Sequence, residues 1–172
     1  MPTLHVCPLS RLHDTVAETR ASHVVTLINV GSAVERPPAI APERHLFIGV
    51  SDIVEPMEGH VLAMPAHVDR LVAFARSWDR ASPLVFHCWA GISRSTAAAY
   101  ICACALAPGR DEADIARALR LASPTATPNA RLVALADDLL GRRGRMVEAI
   151  RDIGRGADAM EGTPFMLHLI GD

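Results

Sequence analysis

Pro83-Leu84-Val85-Phe86-His87-Cys88-Trp89-Ala90-Gly91-Ile92-Ser93-Arg94-Ser95 is the stretch on which the reading of this chain turns. Pro83 to His87 is short, apolar and bounded by proline, as a buried strand is. From Ser93 to Leu106 the chain is alanine-rich and free of glycine and proline, which favours a helix, and Pro108-Gly109 stops it. A few residues with Gly91 among them join the two. Such a strand-loop-helix unit belongs to open parallel sheets, whose strand ends face a ligand-binding crevice.

Outward from this unit the alternation continues. Residues 4–9 read as a first short strand and residues 11–20 as a helix. His23 to Val30 is β-branched and apolar, as in a strand covered on both faces, and Gly31 ends it. Residues 35–44 hold Pro37, Pro38 and Pro42 and read as loop. His45 to Val50 is another buried strand, followed by a polar loop over 53–65. Val68, Leu71, Val72 and Ala75 share one face of a helix. Downstream, Ile115, Ala118, Leu119 and Ala122 repeat that spacing, as do Leu132, Leu135, Ala136 and Leu139. Thr127 is expected to cap the latter helix, with Pro128 at its first position. Residues 145–153 read as a last short helix before an irregular tail. The order predicts an α/β domain with a central, mainly parallel sheet of four to five strands, flanked by helices on both faces. One domain is expected over residues 1–172, with a core at about 4–140 and a helical extension at 141–172.

Composition narrows the function. Half of the 172 residues are hydrophobic, enough for one real core. The formal net charge of -2 gives no global basic field for nucleic acid or anionic membranes, so neither partner is expected. All 17 cationic residues are arginine. No apolar run is long enough to span a bilayer, and Met1 to His5 lacks a signal-peptide pattern, so a cytoplasmic location is expected. Cys7, Cys88, Cys102 and Cys104 lack zinc-like spacing, and the histidines form no ligand-type cluster, so no metal or cofactor is expected.

The loop solves one chemical problem, how to hold a phosphate dianion above a thiolate. Backbone N–H groups of a loop entering a helix N-terminus point inward and bind anions. Gly91 lets the backbone turn tightly. Arg94 can place two parallel N–H donors on phosphate oxygens, which lysine cannot. The same field favours the anionic form of the Cys88 sulfur, the form that attacks phosphorus. A lone buried cysteine is ordinarily a small hydrophobe. Here the histidine before it, the glycine three after it and the Arg-Ser pair six and seven after it have to be explained as well.

His87-Cys88-x-x-Gly91-x-Ser93-Arg94-Ser95 resembles the signature of the protein tyrosine phosphatase superfamily, especially its dual-specificity branch with a Cys-x5-Arg loop, in a prokaryotic-type form. Ile48-Gly49-Val50-Ser51-Asp52 resembles that branch's strand and acid loop, and Pro128-Asn129 its downstream Pro-Asn pair. The resemblance implies a phosphocysteine intermediate and no metal. It makes Cys88 the nucleophile, and His87, Trp89, Ala90, Gly91, Ile92, Ser93 and Arg94 the phosphate loop. Ser95 is implied as hydrogen-bond partner of the departing thiolate, and Asn129 as a brace for the loop through its amide. Asp52, Glu55 and Glu58 lie 36, 33 and 30 residues before Cys88. The family's acid is an Asp after the strand beside the catalytic one, which points to Asp52, with Glu55 the alternative.

The expected activity is phosphomonoester hydrolysis, on a phosphorylated protein or a small aryl phosphate. Competing readings are a phosphatase of a phosphoinositide or of an RNA 5′-phosphate, a non-catalytic phosphate-binding module, and a sulfur-transfer enzyme. The loop has no basic residue over 89–93 to favour a lipid phosphate, and the Arg94-Ser95 pair argues against sulfur transfer. Cys7, near a strand end, is a candidate for a reversible disulfide with Cys88. Oligomeric state is not legible.

Overall fold

The structure, a computed structural model, describes residues 2–169. In chain order the elements are β1 (Thr3–Pro8), α1 (Leu12–Thr19), β2 (His23–Ile28), β3 (His45–Gly49), α2 (Pro65–Ser77), β4 (Leu84–Cys88), α3 (Arg94–Leu106), α4 (Glu112–Ala122), α5 (Ala130–Leu139), α6 (Arg145–Ile153) and β5 (Phe165–His168). The five strands form one sheet in the order β3-β2-β4-β1-β5. The first four are mutually parallel and β5 runs antiparallel to β1.

The two faces of the sheet are covered unequally. Cys7, Val24 and Val85 meet Leu12 and Val16 of α1, together with Ala21 and Ile40. Leu4, Val6, Val25, Leu27, Leu84 and Phe86 pack against the other helices in the main core. Period-two alternation explains the split, since neighbours along a strand point to opposite faces. Helix α3 is the centre of the main core, buried on nearly every side. Its alanines let the sheet and the neighbouring helices approach closely, so its composition reflects all-round burial rather than an amphipathic surface.

The C-terminal part corrects the sequence reading. The expected irregular tail contains β5, which pairs with β1 from Thr3↔His168 to Val6↔Phe165. Four residues carry too little periodicity to signal a strand, and it is the waiting edge of β1 that gives it a partner. Of that tail, residues 170–172 lie outside the described residues. Helix α5 also starts later than expected. Its cap is Asn129, whose Oδ1 accepts from the Leu132 N–H at 3.0 Å. The Thr127 hydroxyl is occupied elsewhere, donating to the Thr125 carbonyl at 3.2 Å and accepting from the Gly156 N–H at 3.0 Å.

Because β1 to β4 are parallel, their carboxyl ends share one edge. Pro8 lies opposite Cys88 and Gly49 opposite Ile28 in register. That edge gathers residues after Pro8, Ile28, Gly49 and Cys88, which are far apart in sequence.

Candidate active site

The loop from Cys88 to Arg94 is built with its carbonyls facing out. The Trp89 carbonyl accepts from the Leu9 N–H at 3.2 Å, and the Ala90 carbonyl from the Gly162 N–H at 2.8 Å. The Ile92 carbonyl accepts from the Thr127 N–H at 2.9 Å, and the Ser93 carbonyl from the N–H groups of Ala97 at 3.0 Å and Asn129 at 3.2 Å. No described peptide bond is cis. In a trans peptide the C=O and the following N–H point in opposite directions. Outward carbonyls at 89, 90, 92 and 93 therefore turn the N–H groups of Ala90, Gly91, Ser93 and Arg94 toward the inside of the loop. One of these is seen directly, the Gly91 N–H donating to Cys88 Sγ at 3.3 Å. The loop is an anion cradle with the sulfur at its base.

Gly91 is required here. Its φ is +70°, and a Cβ would stand 2.7 Å from the Pro8 nitrogen and 2.8 Å from the Cys7 carbonyl carbon. Both the left-handed backbone and the approach of β1 exclude a side chain.

Arg94 lies at the helix start and is 6% exposed. One terminal nitrogen donates to Asn29 Oδ1 at 2.6 Å and to the Val50 carbonyl at 2.9 Å. Its Nε is buried without a partner. A buried guanidinium N–H left open at an anion cradle is a donor awaiting an acceptor. The N-terminus of α3 is likewise not capped by a side chain, and no acidic residue lies in its first turn. The Ser93 hydroxyl, at the cap position, donates instead to Asp52 Oδ1 at 2.7 Å. The Ser95 hydroxyl lies 3.1 Å from Cys88 Sγ.

Asp52 is thereby brought to the loop. Its Oδ1 accepts from Ser93 and from Asn129 Nδ2 at 2.9 Å, and the same Asn129 amide reaches the Ile53 carbonyl at 3.3 Å. The amide of Asn129 thus braces the loop after β3, while its backbone N–H braces the loop over 88–94. This corrects the expectation that the amide would brace the phosphate loop itself. Both side-chain donors thus fall on Oδ1. Beside Asp52 and Ser93 a cavity of about 240 Å³ opens, closed on its far side by Arg155 to Ala159.

His87 is fully buried, and burial lowers its pKa to about 4. The imidazole is neutral at physiological pH, which fixes a chain of hydrogen bonds. Its Nδ1 is 3.4 Å from the Cys88 carbonyl, so that nitrogen carries the proton. Nε2 then accepts from the Thr26 hydroxyl at 2.6 Å, and the hydroxyl accepts from His45 Nε2 at 2.7 Å. Cys7 stands outside this arrangement. It opposes His87 in register and packs on the α1 face, whereas Cys88 meets Ser95 of α3. Burial pushes the Cys7 thiol up to about 12, so the chain offers Cys88 a poor disulfide partner there.

Comparison with solved structures agrees with the topology. DUSP15 aligns at a TM-score of 0.65 and 18% identity over 89% of this chain and 91% of that one. Human DUSP28 aligns at 0.62 and 17% over 90% and 97%. The chain has the dual-specificity phosphatase fold. The same fold is found in the human tyrosine phosphatase-like serine/threonine/tyrosine-interacting protein, at 0.65 and 17% over 83% and 94%. No family model and no curated protein sequence matches the chain.

Within this fold the structure brings together Cys88, Gly91, Ser93, Arg94, Ser95, Asp52 and Asn129. Glu55 and Glu58 are exposed, and Trp89 projects from the loop at 65% exposure. Four contributors escaped the sequence reading: Asn29, Thr26, His45 and Gly162. Asn29 carried a signal, as a polar residue ending an apolar strand at the sheet edge where ligands bind. The other three are defined by what they touch, and local pattern says nothing about that.

Proposed function

We propose that this chain is a phosphomonoester hydrolase of the protein tyrosine phosphatase superfamily, working through a phosphocysteine intermediate without a metal. The observation that carries the reading is the inward-facing cradle over Cys88 Sγ, with the Arg94 Nε–H buried and unpartnered beside it. In the first step the Cys88 thiolate attacks phosphorus in line and forms the S–P bond as the P–O bond to the leaving group breaks. The cradle N–H groups and Arg94 hold the equatorial oxygens as charge builds on them. Asp52 gives the proton on Oδ2 to the departing oxygen, a contribution of about 10²–10⁴-fold for a positioned acid. In the second step water attacks phosphorus and the S–P bond breaks. The water proton goes to Asp52, and the Ser95 hydroxyl donates to the thiolate as it departs.

The substrate class is an aryl phosphate, as in phosphotyrosine of a protein, with dual specificity as the branch assignment. Trp89 at 65% exposure, and Val54 at 47% and Met57 at 56% on the loop after Asp52, are exposed apolar side chains that support an aryl group as the leaving part. Among the described residues no helix is long and apolar enough to cross a membrane. A cytoplasmic protein is the reading that fits.

The test is hydrolysis of p-nitrophenyl phosphate by wild type, Cys88→Ser, Asp52→Asn and Glu55→Gln. Cys88→Ser is expected to be dead and Asp52→Asn slower by about 10²-fold or more. Residual full activity in Cys88→Ser would overturn the mechanism. Full activity in Asp52→Asn with loss in Glu55→Gln would move the acid to Glu55.

A further inference from the structure

The segment between α6 and β5 crosses the outside of the phosphate loop as a strap. Its start is tied down by the Gly154 carbonyl, which accepts from Arg120 at 2.7 Å. The Gly156 N–H then donates to Thr127 Oγ1 at 3.0 Å and the Ala157 N–H to the Pro124 carbonyl at 2.9 Å. Glu161 accepts from the Ser10 hydroxyl at 2.7 Å, and β5 continues from the strap onto β1. Between these anchors the buried Gly162 donates its N–H to the Ala90 carbonyl at 2.8 Å. No side chain fits at that position, because a Cβ would stand 2.9 Å from the Gly91 carbonyl oxygen.

We infer that the strap is a positioning element of the reaction centre: Gly162 orients the Ala90–Gly91 peptide and thereby aims the Gly91 N–H at the sulfur and at the oxyanion above it. The argument is the planarity of one peptide unit. Its carbonyl is drawn outward to Gly162, so its N–H is driven inward, where it reaches Cys88 Sγ at 3.3 Å. With φ at +70°, Gly91 sits where glycine is freest, so the peptide before it has little intrinsic reason to hold one orientation. An external acceptor-donor contact supplies that reason. Ser10 and Glu161 hold the strap at the height where the contact forms, and they tie it to the turn whose Leu9 N–H holds the Trp89 carbonyl. The inference rests on the phosphatase reading for its catalytic meaning and on geometry alone for its effect at the thiol.

The experiment uses the full chain with Gly162→Ala, Glu161→Ala and Glu161→Gln. Each is assayed for p-nitrophenyl phosphate hydrolysis, tungstate inhibition, and iodoacetamide alkylation of Cys88 at fixed pH by peptide mapping, with thermal unfolding as control. Loss of one oxyanion donor costs about 10²–10³-fold in kcat, and displacing rather than deleting it is expected to cost about tenfold. Gly162→Ala should lower kcat by that factor with KM little changed, weaken tungstate inhibition and slow alkylation of Cys88. Glu161→Ala should slow alkylation and turnover about two- to fivefold, and Glu161→Gln, which keeps an acceptor for Ser10, should restore both. Wild-type kcat, tungstate inhibition and alkylation in a folded Gly162→Ala would overturn the inference. If that variant does not fold, Glu161→Ala behaving as wild type would overturn it instead. A wild-type protein without hydrolysis or tungstate binding would sink the phosphatase reading, and the alkylation rates would still decide the role of the strap.

Discussion

Acidification isolates the contribution of His87. Burial holds its imidazole neutral, with a folded pKa lowered to about 4 from an ordinary 6.5. The imidazole is a base, and the depression means that the unfolded chain binds the proton more readily. Stability is therefore full well above pH 6.5 and falls as the pH drops through 4, below which both states are protonated. Linkage puts the loss at about 2 kcal/mol by pH 5 and about 3 kcal/mol by pH 4. For a chain of this size, 2 kcal/mol corresponds to a drop in Tm of roughly 4–8 °C. His5, His23, His45 and His67 are also shifted down, chiefly by burial, and steepen the same limb. The variant His87→Asn separates them, since it removes one titration and leaves the rest. Urea unfolding of both proteins from pH 7.5 to 4.5 is the assay. The variant is expected to start less stable at pH 7.5 and to lose about 2.5 kcal/mol less on the way down. Parallel curves for the two proteins would refute the argument that His87 is held neutral.

Three further outcomes are expected. Thr26→Val removes the proton donor to His87 Nε2 and leaves a buried acceptor unpaired, at about 1–3 kcal/mol, whereas Thr26→Ser keeps the hydroxyl; thermal unfolding should rank serine above valine, with the valine variant slower on p-nitrophenyl phosphate. Gly91→Ala forces a Cβ to within 2.7 Å of the Pro8 nitrogen; it should cost about 3 kcal/mol or more in urea unfolding and lower kcat about 10²-fold, and a stable, active alanine variant would contradict the loop geometry. Glu112→Ala leaves the buried Arg142 without its 2.7 Å partner; it should destabilise the fold by about 3–5 kcal/mol while the folded protein retains its kcat, because the pair lies away from the loop.

The strand-loop-helix unit at 83–106 was legible because each part carries its own local chemistry. An apolar run, a glycine that must turn and an alanine-rich helix start are written in adjacent residues. Asp52 was legible as a carboxylate at a strand end, yet what holds it was not. Its partners Ser93 and Asn129 lie 41 and 77 residues away and meet it only once the sheet edge has formed. Asn129 shows the limit most clearly. Its residue type suits both a helix cap and a loop brace, and in the structure Oδ1 caps α5 while Nδ2 holds the acid loop. Thr127, two residues earlier, also suits a cap by type, but its hydroxyl is committed to the Thr125 carbonyl and the Gly156 N–H. β5 was missed for a related reason, since four residues become a strand through the open edge they pair with rather than through their own pattern.

The orientation of the anion cradle is thus a property of the whole domain more than of the signature. A helix N-terminus supplies the N–H groups of its own first turn, and these account for Ser93 and Arg94 in the cradle. It says nothing about the peptides before the helix. The Trp89 carbonyl is held from the turn after β1 and the Ala90 carbonyl from the strap before β5. Both holders flank the β1–β5 edge of the sheet, and Ser10 and Glu161 join them to each other. Half of the cradle is therefore set by α3 and half by the far edge of the sheet. Perturbing that edge should reach the sulfur while Arg94, fixed by Asn29 and Val50 on the opposite side, keeps its place.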